Sequence, residues 1–162
     1  MTVIETDYLI VGAGAAGMAF ADELVVQCDM GVVMVDRRHS PGGHWNDAYP
    51  FVRLHQPSAI YGVNSRVLGT DSIDTTGPNT GFYERATGAE ICDYYQRVLD
   101  EHLLPSGNVR FFGMCDYVGN WSSEHAFTSL LTGKTTTIRV RRKVVDATYL
   151  QTSVPATHTP AF

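Results

Sequence analysis

The stretch Tyr8-Leu9-Ile10-Val11-Gly12-Ala13-Gly14-Ala15-Ala16-Gly17 decides the fold of this chain. The apolar run predicts a buried strand over 7–12, and Met18-Ala19-Phe20-Ala21 continues into a helix over 15–28. Between them stand three glycines spaced G-x-G-x-x-G, the strand–turn–helix arrangement that holds the pyrophosphate of a dinucleotide. Gly12 permits the tight turn, Gly14 lets the backbone approach phosphate oxygens, and Gly17 lets the helix lie close to the strand. Ala15 and Ala16 fill the turn, so the first helical N–H groups face the anion at the positive end of the helix dipole.

A second apolar run, Gly31-Val32-Val33-Met34-Val35, predicts a strand over 31–36 that ends in Asp36. An acidic residue about 20 positions beyond the glycines is the expected acceptor for ribose hydroxyls. The competing reading of Asp36 is a solvated strand end. Downstream, 38–83 is rich in Gly, Pro, Asn and Ser and is expected to be loop; a loop of that length is usually functional. Ile91, Tyr94, Tyr95, Val98 and Leu99 recur at helical spacing and predict a helix over 88–104, ended by Leu104-Pro105-Ser106-Gly107. Val109–Phe112 is the next strand. Three short strand-like runs, at 114–121, 125–131 and 135–141, predict an antiparallel meander, and 143–148 a last strand. Arg139, Arg141 and Arg142 fit a solvated strand edge guarded by charge.

The 162 residues suffice for one domain with a core. The net charge of −5 argues against nucleic acid as a partner, and no apolar stretch approaches a membrane span. An acidic N-terminus without a basic region argues against a signal peptide, and three scattered cysteines without C-x-x-C suit a reduced, cytoplasmic protein. The six histidines show no metal-ligand spacing.

The order G-A-G-A-A-G, Asp36, Pro41-Gly42-Gly43-His44-Trp45, helix, strand, meander, and a strand followed by Ala147-Thr148 resembles the N-terminal FAD-binding region of two-dinucleotide-domain flavoproteins. Flavin-containing monooxygenases and pyridine nucleotide oxidoreductases have this pattern; Tyr49-Pro50 is similar to a Y-P found in such monooxygenases. The resemblance implies an α/β, Rossmann-like FAD/NAD(P)-binding domain over 1–150, a parallel sheet with an antiparallel three-strand meander, and an interdomain tail over 151–162. It implies that Gly12, Gly14, Ala15, Ala16 and Gly17 line the FAD pyrophosphate, that Asp36 holds the ribose, and that Arg37 stacks on adenine or meets a phosphate. It further implies that Gly42 and Gly43 pass along the ribityl chain or ring, beside His44 and Trp45, and that the main chain of Cys115 meets the adenine edge.

Two departures stand out. Tyr149 replaces the glycine of the usual A-T-G, and neither a second glycine-rich motif for NAD(P)H nor a late G-D strand follows. The expectation is a fragment of a longer flavoprotein that uses FAD, with NAD(P)H in the full-length protein, and that is catalytically incomplete alone. Apolar surface left by a missing domain would promote self-association. The small-molecule substrate is set by parts outside these motifs. Two alternatives stay open: a non-catalytic module for FAD, NAD or ADP, and an NAD-binding dehydrogenase domain. Trp45 also reads as a core aromatic, His44 and His55 as surface histidines, and Arg53 as a phosphate partner or a solvent-facing residue.

Overall fold

The computed structural model describes residues 3–148; the tail expected over 151–162, and Tyr149, lie outside the described residues. Four parallel strands form the base of the fold: β1 (Val3–Val11), β2 (Val32–Val35), β5 (Val109–Phe112) and β8 (Thr135–Asp146). With β6 (Cys115–Tyr117) and β7 (His125–Ser129) they make a six-stranded sheet in the order β5-β2-β1-β8-β7-β6, the last two added antiparallel. This is the Rossmann-like α/β architecture that the sequence predicts.

Side chains alternate across each strand, so each central strand feeds two cores. Ile10, Val32, Met34 and Val109 pack against Met18, Ala21 and Leu24 of helix α1 (Ala15–Gln27) and against Ile91, Tyr94, Tyr95 and Val98 of helix α2 (Gly88–Val98). Leu9, Val11, Val33 and Val35 face the other way and meet Cys115, Phe127 and Ile138 of the meander. A fully buried Leu, Ile, Val or Met contributes about 1.5–3 kcal/mol. Burial on both faces is what demands the continuous apolar runs at 8–11 and 32–35.

The meander differs from expectation in one respect. Its third strand and the last parallel strand are a single element, β8. Residues 135–138 pair with β7, and β1 pairs with residues 137–146, with a register shift between Thr6 and Tyr8. Beyond Ile138 only β1 flanks it. There Arg139 bonds Glu5 (2.7 Å) and Arg141 bonds Asp7 (3.1 Å) on the exposed face. β1 is also longer than the expected 7–12, because its polar N-terminal half is paired by β8.

The segment expected as loop over 38–83 holds two short 3-10 turns, Gly43–Asp47 and Ser58–Ile60, and a small hairpin of β3 (Gly62–Val63) and β4 (Arg66–Val67). Leu54, Val63 and Leu68 anchor it in the first core. The hairpin is tied to α1 by the buried Asp22, which accepts the Ser65 N–H (3.0 Å) and the Ser65 hydroxyl. His102 Nε2 lies 3.1 Å from the same carboxylate without hydrogen-bond alignment.

Helix α2 begins with a reciprocal cap. The Thr87 hydroxyl accepts the Glu90 N–H (3.2 Å), and the Glu90 carboxylate accepts the Thr87 N–H (2.7 Å). It widens into a π turn at Leu99–Leu103, ends in a 3-10 turn, and stops at Gly107, whose φ is 76°. The Thr87 N–H holds the Glu90 carboxyl below its ordinary value. A depressed acid stabilises the fold above its unfolded value and loses that stabilisation as pH falls through the lower folded value. Thr87→Ala is therefore expected to cost about 1 kcal/mol in urea unfolding. Glu90→Gln should flatten the acid side of the stability–pH curve below about pH 4.5, the unfolded value for a glutamate; an unchanged acid limb would contradict the assignment.

Candidate functional site

All the glycine motifs meet at the carboxyl ends of the parallel strands. Ligands bind at this edge in doubly wound sheets, where neighbours on the two sides of a central strand diverge; here β2 and β8 flank β1. Gly12, with φ 101°, leaves β1 and donates to Val35 O (2.8 Å), while Ala147 N donates to Val11 O (2.8 Å). The chain then enters α1 through Gly14. A Cβ on Gly17 would collide with the Gly12 carbonyl oxygen, so the close strand–helix approach is real and depends on that glycine.

No side chain caps α1, and its first turn holds no acidic residue. Its leading N–H groups therefore keep their positive end for an outside anion. Ala15 is half-buried and Ala16 exposed at this end.

The Pro41-Gly42-Gly43 turn sits directly on this loop. Gly42 N donates to Ala13 O (2.9 Å), and a Cβ on Gly43 would stand 2.9 Å from Gly14 Cα. Gly43 also has φ 57°. The two glycine turns, 30 residues apart in sequence, are thus in backbone contact and leave no side chain between them. This is a cradle that Cβ atoms would fill, and it suits a dinucleotide's phosphates.

Asp36 lies beneath the cradle, 6% exposed. Its Oδ2 accepts Ala13 N (2.6 Å) and its Oδ1 accepts Arg38 N (2.7 Å). It is not a solvated strand end. It fastens the glycine loop to the end of β2, and each oxygen retains a lone pair for a further donor. Its main chain joins Cys115, whose N–H donates to Asp36 O (3.0 Å). The Cys115 thiol turns into the second core, where burial and then Asp116 push its ionisation up. Arg37 lies on the exposed rim and pairs with Asp116 (3.1 Å). The structure thus gathers Gly12, Gly14, Ala15, Ala16, Gly17, Asp36, Arg37, Gly43 and Cys115 around one strand edge.

His44 and Trp45 diverge. Trp45 packs against the first core and donates Nε1–H to the Tyr61 hydroxyl (2.8 Å). His44 is largely exposed, its ring 5.2 Å from that of Trp45. Partial burial and the nearby Arg38 guanidinium hold its imidazole below the ordinary value, against an opposing Asp47. Arg38 is itself clamped to Asp47 (Nε to Oδ2, 2.9 Å). Behind Trp45, Tyr61 stacks edge-on with the buried Tyr95, whose hydroxyl has no partner among the described residues and whose ionisation is pushed up chiefly by burial. His55 is exposed.

The sequence reading did not anticipate the Asp22–Ser65–His102 cluster, because a lone aspartate in an apolar helix carries no spacing signal. It is no nucleophile relay: the serine bonds the carboxylate, not the histidine. Among the described residues no group of His, Cys, Asp and Glu could hold a metal, and no helix is long and apolar enough to cross a membrane.

Residues 10–64 match the family model described as an NAD(P)-binding Rossmann-like domain. The chain is 52% identical over 153 residues to the uncharacterized protein Rv2000 of Mycobacterium tuberculosis; the match covers 94% of this chain and 28% of that protein. It is 30% identical over 102 residues to the "Probable FAD-binding monooxygenase AlmA" of an Acinetobacter species, covering 62% of this chain and 18% of that protein. Among solved structures, the bacillithiol disulfide reductase Bdr (YpdA) of Staphylococcus aureus aligns over 91% of this chain and 38% of its own, with TM-score 0.64 and 11% identity. The flavin-containing monooxygenase of Stenotrophomonas maltophilia aligns over 90% of this chain and 38% of its own, with TM-score 0.59 and 18% identity. The chain spans little more than a quarter of its mycobacterial relative, and it carries a dinucleotide-binding fold similar to that of flavin monooxygenases.

Gly17→Ala forces a methyl against the Gly12 carbonyl and should cost about 1–3 kcal/mol by overpacking. Asp36→Asn loses two charge-assisted bonds and should cost about 1.5–3 kcal/mol. Thermal melts of both variants check the geometry; a wild-type melting temperature in Gly17→Ala would refute the close approach.

Proposed function

We propose that this chain is the FAD-binding domain of an NAD(P)H-dependent flavin oxidoreductase of the monooxygenase kind, incomplete as a catalyst by itself. The observation that carries the proposal is the backbone contact between the Gly12–Gly17 loop and the Gly42–Gly43 turn over the buried Asp36. A mononucleotide needs only the first loop; a second glycine turn laid on it suits a longer dinucleotide whose chain runs on past the pyrophosphate. The name borne by the Acinetobacter relative supports the flavin.

In this reading the amides at the start of α1 bind the pyrophosphate, and the spare lone pairs of Asp36 accept ribose hydroxyls. Arg37 and the main chain around Cys115 border the adenosine. Gly43 leaves room for the ribityl chain, with His44 and Trp45 at its far end. Bound flavin would supply the hydride acceptance and oxygen chemistry that protein side chains lack. The chain's own task is to bind and orient, with Trp45 fixed by Tyr61 and the His44 imidazole held below its ordinary value by partial burial and Arg38. The relatives' greater length supports a partner domain elsewhere in the protein, and exposed Phe51, Ile60 and Phe82 would promote self-association without it.

A second reading has its own support. The family model matched by residues 10–64 is an NAD(P)-binding one, which favours a module that holds NAD(P) in place of FAD. Titration with FAD, NAD, NADP and ADP separates the two. The flavin reading expects FAD to bind at least ten times more tightly than NAD, with yellow protein surviving gel filtration. NAD or ADP binding as tightly as FAD would favour the second reading. Gly14→Ala tests the site itself. Its φ is −76° and its added Cβ would meet Gly43 Cα at an ordinary 3.5 Å. Stability should change by no more than about 1 kcal/mol, while dinucleotide affinity should fall at least tenfold as the methyl enters the phosphate path.

A further inference from the structure

A cavity of about 330 Å³ lies among Arg53, Asp74, Thr76, Asn79 and Arg85. None of its lining residues belongs to the Gly12–Gly17 loop, the Gly42–Gly43 turn or the end of β2. We infer that it is a second ligand site, for a small organic oxyanion, a carboxylate or a phosphate monoester, that also carries a hydroxyl or amino group.

The guanidinium groups carry the argument. Arg37, Arg38, Arg66, Arg97, Arg139 and Arg141 each pair with a carboxylate. Like Arg110 and Arg142, Arg53 and Arg85 pair with none among the described residues, and these two line one cavity together with Asp74. Each is instead tethered by a single nitrogen to a neutral oxygen. Arg85 Nε donates to Asn79 Oδ1 (2.8 Å), and Arg53 Nη1 donates to Arg85 O (3.0 Å). The Arg85 tether is itself held. Asn79 is buried, and its Nδ2 donates both to Asp74 Oδ2 (2.7 Å) and to Tyr83 O (2.9 Å). Arg53 is bridged through its main chain to Thr87. A guanidinium has five N–H donors, so most of both forks stays free. Held forks of this kind recognise planar or tetrahedral oxyanions at low entropic cost.

Asp74 sets what else the ligand carries. Its Oδ2 is taken by Asn79, and its Oδ1 accepts nothing among the described residues. Among the lining residues two cations face one anion, and the Glu90 carboxylate of α2 lies near enough to feel both Arg53 and Asp74. An oxyanion with a neighbouring donor satisfies all three groups, whereas a bare anion leaves the carboxylate opposed. The volume lies at the lower end of the ligand-pocket range of about 300–1,000 Å³, so the ligand is metabolite-sized rather than a dinucleotide.

Calorimetric titration of the full chain in low-chloride buffer tests this with sn-glycerol 3-phosphate and L-malate as probes, and with glycerol and inorganic phosphate as controls. The two organic anions distinguish phosphate from carboxylate. Saturable binding of at least one is expected, at least tenfold tighter than inorganic phosphate, with none for glycerol and no change under saturating ADP. Arg53→Gln and Arg85→Gln should each weaken it at least tenfold, while Lys134→Gln, an exposed turn lysine, should leave it within twofold. Should Arg85→Gln fail to fold, the exposed Arg53 decides the matter alone. Asp74→Asn should narrow the gap between the organic anion and inorganic phosphate. The site is refuted if neither anion saturates, if ADP displaces the bound anion, or if Lys134→Gln weakens binding as much as Arg53→Gln.

Discussion

Helix α1 meets strand β1 with nothing between them but the Gly12 carbonyl and the α-hydrogens of Gly17. That clearance places the start of the helix over the end of the strand, and the helix start is where an anion would bind. It also lowers the loop enough for the Gly42–Gly43 turn to rest on Gly14. Every later feature of the cradle inherits this spacing. A methyl group at position 17 would lift the helix, move the uncapped amides, and separate the two turns. The packing constraint and the binding constraint are the same constraint, so stability and affinity at this edge cannot be tuned apart by changes at Gly17, though they can at Gly14.

Buried polar groups extend the constraint outward. Asp36 and Asp22 are carboxylates withdrawn from water, a costly arrangement unless their lone pairs are used. Asp36 uses them on two backbone amides and so joins the glycine loop to β2 and, through its main chain, to β6. Asp22 uses them on Ser65 and so joins α1 to the β3–β4 hairpin. In both places one residue fixes a contact between segments far apart in sequence, which an apolar residue would leave free to slide.

Much of this was legible in the chain. The glycine spacing, the apolar runs at 8–11 and 32–35, and the helical recurrence from Ile91 to Leu99 each follow from a local period, and the structure has those elements. The Thr87-Gly88-Ala89-Glu90 cap has a readable signature too, though it takes attention to spacing rather than to hydropathy. What was not legible depends on distant partners. Leu54, Val63 and Leu68 are single apolar residues with no period, so the segment that they anchor reads as loop. The unity of β8 was hidden because its charged middle, Arg139 to Lys143, interrupts the apolar pattern; the bonds of Arg139 and Arg141 to Glu5 and Asp7 carry the strand through. At the site, the sequence placed Asp36 at the strand end but could not show that its oxygens were engaged by Ala13 and Arg38. It offered Trp45 as wall or as core, and could not show that the half-buried ring leans on the first core with its Nε1–H held by Tyr61.

The continuity of β8 also governs how the molecule comes apart. One strand carries the meander at its start, lies against β1 from Thr137 onward, and leads into Ala147, whose N–H donates to Val11 O. With both halves of the sheet hung on one strand, the two cores are expected to share one cooperative unit. Amide protons of β8 should then exchange with solvent together, by global unfolding, and protection in the meander should track protection beside the glycine loop. A ligand held at the cradle would slow exchange at Thr137 and Ile138, far along the strand, without touching them.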